Sequence, residues 1–217
     1  MKRFFFLLKS FIFINFLLSG ITLRASPIIG IIGDSVTEGY GVSSKSVYTV
    51  FLKQSLQKDF PHIEFVINAI SGSVTASAPA RIQNMMGQEK KLSGIMIGLA
   101  GNDLLRGTTP AVTEKNFFKI VELAQKNNIP VLIGEIPFST NDPQMKDIAA
   151  FYKKMYAKLE KEKGVTMLPE FLVSVFKMPN LNQKDGIHPN EKGHEIMAQT
   201  IYPPINRWIQ QITKKVP

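Results

Sequence analysis

The sequence predicts an α/β fold in which a parallel sheet is covered by helices on both faces. Five short apolar runs alternate with longer segments whose apolar residues recur at helical spacing. Strands buried on both faces read as such continuous apolar runs. The chain has 217 residues, 44% of them hydrophobic and 20% charged, which suits one domain with a full core and argues against disorder or a multi-span membrane protein.

Residues 1–25 stand apart. Lys2 and Arg3 lead, the stretch 4–18 is almost wholly apolar apart from Lys9, and Ser19 and Gly20 follow. This is the pattern of a secretory signal peptide, which points to a periplasmic or secreted protein with residues 26–217 as its single domain. The cleavage position is undefined, because bulky Leu23 and Leu18 stand where small residues are preferred. An uncleaved anchor is the alternative, although the run is short for a membrane span and carries a lysine.

The first strand is expected at residues 28–32 and the first helix at 48–58, with Phe51, Leu52 and Leu56 on its apolar side. Strands at 63–68 and 94–99 follow. The helix at 113–126 lines up Phe117, Ile120, Val121 and Ala124, and Pro130 separates it from a strand at 131–136. The longest helix is expected at 144–162 and a weak strand at 165–168. A last helix opens at Glu191 and reaches Ile201, where Pro203-Pro204 is expected to break or restart it before Trp208. No repeat or Gly/Ser linker marks a second domain.

Open parallel sheets bind ligands at the carboxyl ends of their strands, so the residues following each apolar run are the ones to inspect. Gly33-Asp34-Ser35 follows the first strand, Ser71-Gly72 the second and Gly101-Asn102-Asp103 the third. A serine hydroxyl is a weak nucleophile until a base takes its proton, and that base needs a partner to fix its tautomer. Asp185-Gly186-Ile187-His188 supplies both at a spacing that one loop or turn can close. Acyl transfer also needs donors for the developing oxyanion, and Ser35 N–H, Gly72 N–H and the Asn102 amide are the candidates. Taken singly, Gly72 reads as a turn glycine and Asn102 as a residue bonding its own loop.

The chain has no cysteine, which excludes disulfides, thiolate metal sites, a cysteine nucleophile and a lipoprotein anchor. Only His62, His188 and His194 could serve a histidine metal centre, so no metal or cofactor is expected. The formal charge of +9 invites a nucleic-acid reading. Four of the 26 basic residues sit in the leader, so the remainder carries 22 bases against 17 acids. Lysines 153, 154, 158, 161 and 163 interleave with Glu160 and Glu162 as a solvated helix face does. No nucleic-acid partner is expected, and at most peripheral membrane contact.

Together these blocks resemble the SGNH hydrolases, the GDSL esterase and lipase family. Gly33-Asp34-Ser35 followed by Val-Thr-Glu-Gly-Tyr-Gly is similar to the block that bears the nucleophile. Ser71-Gly72 and Gly101-Asn102-Asp103 resemble the two oxyanion blocks, and Asp185-Gly186-Ile187-His188-Pro189-Asn190 the block with acid and base. The match spans residues 28–208. Within the family the chain is most similar to the periplasmic thioesterase I/lysophospholipase L1 and arylesterase branch, which Arg106-Gly107, Pro137, and Leu168-Pro169 before a Phe-rich helix all suit.

That resemblance implies a three-layer α/β/α, flavodoxin-like fold with five parallel strands and no cofactor. It also implies a serine esterase that cleaves carboxylic ester or thioester bonds, lysophospholipids included, through Ser35, His188 and Asp185 and an acyl-enzyme. An O-acetylesterase acting on envelope glycans and a non-catalytic lipid or carbohydrate module on the same fold are the alternatives. Two departures stand out. Ala100 replaces a glycine that usually opens the third block, and the stretch 68–71 is one residue short; both bear on how the oxyanion loops sit. Asp34, Asp103 and Trp208 are expected to be structural, and His62 and His194 to lie at the surface.

Overall fold

A computed structural model describes residues 26–88, 91–138, 143–169 and 171–214, so the signal peptide expected at 1–25 lies outside the described residues. Strands β1 (Ile28–Gly33), β2 (Glu64–Ala69), β3 (Gly94–Gly98), β4 (Val131–Gly134) and β5 (Val165–Leu168) form one parallel sheet in the order β2-β1-β3-β4-β5. The chain winds one way from β1 to β2 and the other way from β3 onward. The crevice of the fold therefore opens beyond the carboxyl ends of β1 and β3.

Successive strand residues face opposite sides, so each strand feeds two cores. Ile32, Ile95, Ile97 and Ile133 pack on one face against α3 (Ala78–Met86), α5 (Pro110–Lys126) and α6 (Lys146–Leu159). Ile31, Met96 and Leu132 pack on the other against α2 (Tyr48–Leu56) and α7 (Glu191–Lys214). Each fully buried Ile or Leu stabilises the fold by about 1.5–3 kcal/mol. Three layers follow, as the fold class predicts.

Several elements depart from expectation. The third and fourth strands stop at Gly98 and Gly134, short of the expected ends at 99 and 136, and the Phe171 ring lies over both glycines, 2.7 Å from where a Cβ would sit at either. The expected Phe-rich helix is absent; residues 171–177 form successive turns capped by Asn182, whose Nδ2 donates to Val175 C=O at 2.7 Å and Met178 C=O at 3.0 Å. Helix α3 was not predicted, since Pro79 near its start masks a short stripe of Ala78, Ile82 and Met85. Pro in the first turn is compatible with a helix because that N–H has no partner there in any case.

Helix α7 runs unbroken through Pro203 and Pro204, against the predicted stop. Each proline removes a donor, from the carbonyls of Gln199 and Thr200, and both lie off the buried stripe where water can bond them. The stripe of Met197, Ile201, Ile205, Trp208 and Ile209 stays packed on the sheet and outweighs a penalty of about 3 kcal/mol per interior proline. His194 belongs to that stripe. It is 1% exposed rather than superficial, stacks on Tyr48, and its Nδ1 accepts the Tyr48 N–H at 3.3 Å. Burial pulls it down to about 4. Trp208 is a packing residue over Gly94, and His62 is exposed.

Candidate active site

Beyond β1 the chain turns at Asp34 into a one-turn helix, α1 (Ser35–Glu38). Asp34 caps it by accepting the Val36 N–H through Oδ1 at 3.1 Å, and Gly39 ends it in the left-handed region, which favours glycine. Gly33 is required because Thr37 fills the space a Cβ would take. These constraints fix Ser35 at the mouth of the sheet.

His188 Nε2 lies 2.9 Å from Ser35 Oγ, and His188 Nδ1 lies 2.7 Å from Asp185 Oδ2. A carboxylate only accepts, so the neutral ring carries its proton on Nδ1 and turns the Nε2 lone pair to the hydroxyl. Asp185 is held in turn. Its Oδ1 accepts the N–H groups of Ile187 at 2.9 Å and His188 at 3.0 Å, with Gly186 left-handed between. The His188 N–H, then its ring N–H, then the Ile187 N–H draw Asp185 down to about 2.

Helix α4 (Gly101–Leu105) carries Asn102 to the same crevice, where its Nδ2 donates to Asp34 Oδ2 at 3.3 Å. Burial pushes Asp34 up to about 6. Ser35, Asn102 and His188 line one cavity of about 150 Å³, together with Leu99, Leu105, Ile136, Phe171, Leu172 and Ile187. That wall is apolar. Gly72 lies outside this lining, in a left-handed turn after β2, with the Arg106 Nη2 2.6 Å from where its Cβ would project.

The surrounding bonds explain how these loops hold their places. Glu38 Oε2 accepts the Ser71 N–H at 2.8 Å and the Ser71 hydroxyl, which anchors the Gly72 turn to α1. Arg81 donates to Gly33 C=O at 2.8 Å, Asn68 Oδ1 at 2.9 Å and Asn68 C=O, and so ties together the ends of β1 and β2. Asp103 is buried and accepts the Thr75 N–H at 2.8 Å and the Thr75 and Thr113 hydroxyls. Asp34 and Asp103 are thus structural acceptors, as expected. Sequence reasoning missed Glu38 and Arg81; the signal for Arg81 was a charge standing alone within residues 65–88.

A family model, that of the GDSL-like lipase/acylhydrolase family, matches residues 31–196. The chain belongs to this family. The SGNH hydrolase is 30% identical over 187 residues to thioesterase 1/protease 1/lysophospholipase L1 of Escherichia coli K12, covering 84% of this chain and 86% of that one. It is 26% identical to an arylesterase of Vibrio mimicus, over 82% of this chain and 88% of the relative. Among solved structures, the SGNH-hydrolase family esterase AlinE4 matches with 27% identity and a TM-score of 0.67, covering 88% of this chain and 97% of that one. TesA has the same fold, with a TM-score of 0.76 at 24% identity, over 83% of this chain and 99% of that one. The protein is an SGNH hydrolase enzyme of the esterase and thioesterase type. Among the described residues no helix is long and apolar enough to cross a membrane, and no cluster of three or more His, Asp or Glu side chains could hold a metal ion.

Proposed function

We propose that this SGNH hydrolase cleaves acyl esters and thioesters, lysophospholipids among them, by a serine mechanism. Ser35 Oγ attacks the acyl carbonyl as His188 Nε2 takes its proton, and the alcohol or thiol leaves with that proton. His188 then draws a proton from water, which attacks the acyl-enzyme, and returns that proton to Ser35 Oγ as the acyl–oxygen bond breaks and the acid leaves. Asp185 holds the imidazole in the required tautomer. Ser35 N–H, Gly72 N–H and Asn102 Nδ2 serve the oxyanion, and the apolar wall of the cavity takes the acyl chain. Residues 1–25 direct export, leaving residues 26–217 as the enzyme in the periplasm or medium.

The observation that carries this reading is the unbroken line of contacts from Asp185 Oδ2 to His188 at 2.7 Å and from His188 to Ser35 Oγ at 2.9 Å. The test is hydrolysis of p-nitrophenyl esters and acyl thioesters by the leaderless protein and by Ser35→Ala, with an organophosphonate label mapped by mass spectrometry. Activity that falls by about 10⁴-fold or more in the variant, with the label on Ser35, is the expected result. Equal activity in both proteins, or a label on another serine, overturns the mechanism; inactivity of both favours a binding module.

A further inference from the structure

The two sides of the proposed site come from opposite ends of the chain, and the base sits in a narrow hairpin spanning residues 181–190. That hairpin is shaped by its own backbone. Asn190 N–H donates to Leu181 C=O at 2.9 Å, Gln183 N–H to His188 C=O at 2.8 Å, and Gly186 N–H to Gln183 C=O at 3.0 Å. These bonds stay inside the hairpin, so they fix its form and not its position against α1.

The Gln183 side chain reaches across. Its Nε2 donates to Tyr40 C=O at 2.7 Å and to Pro189 C=O at 3.0 Å. Tyr40 belongs to the turn closing α1, where its own N–H donates to the Ser35 C=O at 3.0 Å. Pro189 directly follows His188. One amide nitrogen therefore bonds a residue tied to the serine backbone and a residue adjoining the imidazole. Gly41 makes room for it: φ there is +74°, and a Cβ would collide with Gln183 Oε1. The Tyr40 ring, brought along by the same turn, lies 4.8 Å from the His188 ring.

We infer that Gln183 is a positioning residue that sets the separation of Ser35 and His188 by tying the Tyr40 turn to the His188 hairpin. The inference rests on the serine mechanism proposed above. Glutamine meets the need because one nitrogen offers two hydrogens to two carbonyls. Glutamate has the same shape and neither hydrogen, and turns a negative charge toward both carbonyl oxygens. A misplacement of about 1 Å between reacting groups costs about 100-fold in rate.

The experiment measures kcat and KM on a p-nitrophenyl ester, and the organophosphonate labelling rate, for wild type, Ser35→Ala, Gln183→Ala and Gln183→Glu. Both Gln183 variants should lose about 10- to 100-fold in kcat and in labelling together, with KM within about threefold, because the apolar wall is untouched. If Gln183→Ala folds poorly, the isosteric Gln183→Glu carries the test. A kcat within about twofold of wild type in the Gln183 variants, or a rise in KM alone, overturns this inference while an inert Ser35→Ala leaves the mechanism standing. An inert wild type, or an active Ser35→Ala, overturns both.

Discussion

His188 Nε2 and Ser35 Oγ lie 2.9 Å apart although 153 positions separate them in the chain. Neither residue owes its place to the other. Ser35 is held by the cap of α1 on β1, and His188 by the Asp185 turn within its hairpin, so the contact is assembled from two independently built loops.

In the proposed mechanism Asp185 fixes the tautomer that this contact needs. Asp185→Asn keeps the shape but presents an amide that can favour the opposite ring proton. The expected loss in kcat is about 10³- to 10⁴-fold at neutral pH with KM little changed. Steady-state kinetics check it, and a loss under tenfold would show that His188 keeps its tautomer unaided.

Asn102 is tethered through Asp34, which leaves the second hydrogen of its amide for a substrate. Asn102→Ala should lower kcat by about 100- to 1000-fold, the usual worth of one oxyanion donor. The organophosphonate labelling rate should fall in step, because the labelled adduct carries the same oxygen. Unchanged labelling would place the oxyanion elsewhere.

Glu38 anchors the Ser71-Gly72 turn without lining the cavity. Glu38→Ala should cost about tenfold in kcat, since the Gly72 N–H loses its fixed aim, while the melting temperature moves by only a few degrees because the residue is exposed. Kinetics and a thermal melt on the same preparation separate the two effects.

Two buried groups titrate against each other between pH 4 and 6. His194 has its pKa lowered from 6.5 to about 4, so as pH falls the unfolded chain takes a proton the folded one refuses, and stability drops. Asp34 has its pKa raised from 3.8 to about 6, so as pH rises the unfolded chain releases a proton the folded one keeps, and stability drops in the other direction. Each effect is about 3 kcal/mol in full, and they oppose across one window. Asp185, drawn down to about 2, titrates below it. Denaturant unfolding between pH 4 and 6 should therefore find stability rising with pH in Asp34→Asn, falling with pH in His194→Gln, and flatter than either in the wild type. Parallel slopes in all three proteins would refute the opposition.

Much of the candidate site was legible because its residues follow strand ends directly. Ser35 and Asn102 stand one turn beyond β1 and β3, and the sheet aligns those ends whatever fills the loops. Asp185 and His188 were legible for a different reason: three positions is a distance that one turn spans without help from the rest of the molecule. Ala100 shows the limit of such reading. Its departure from glycine was visible, but the structure alone reveals that alanine accepts a φ of +102°, its methyl group buried in the core beside β3.

The sequence by itself determined the sheet, its two-sided burial and the residue types available for chemistry, because apolar period and strand-end position are local properties of the chain. Only the tertiary structure decided that α7 passes through two prolines, that His194 is buried, and that Gln183, Glu38 and Arg81 hold the loops around Ser35. Those outcomes depend on which surfaces meet across distances of 13 to 146 residues along the chain, and on the packing energy gained there outweighing local preference.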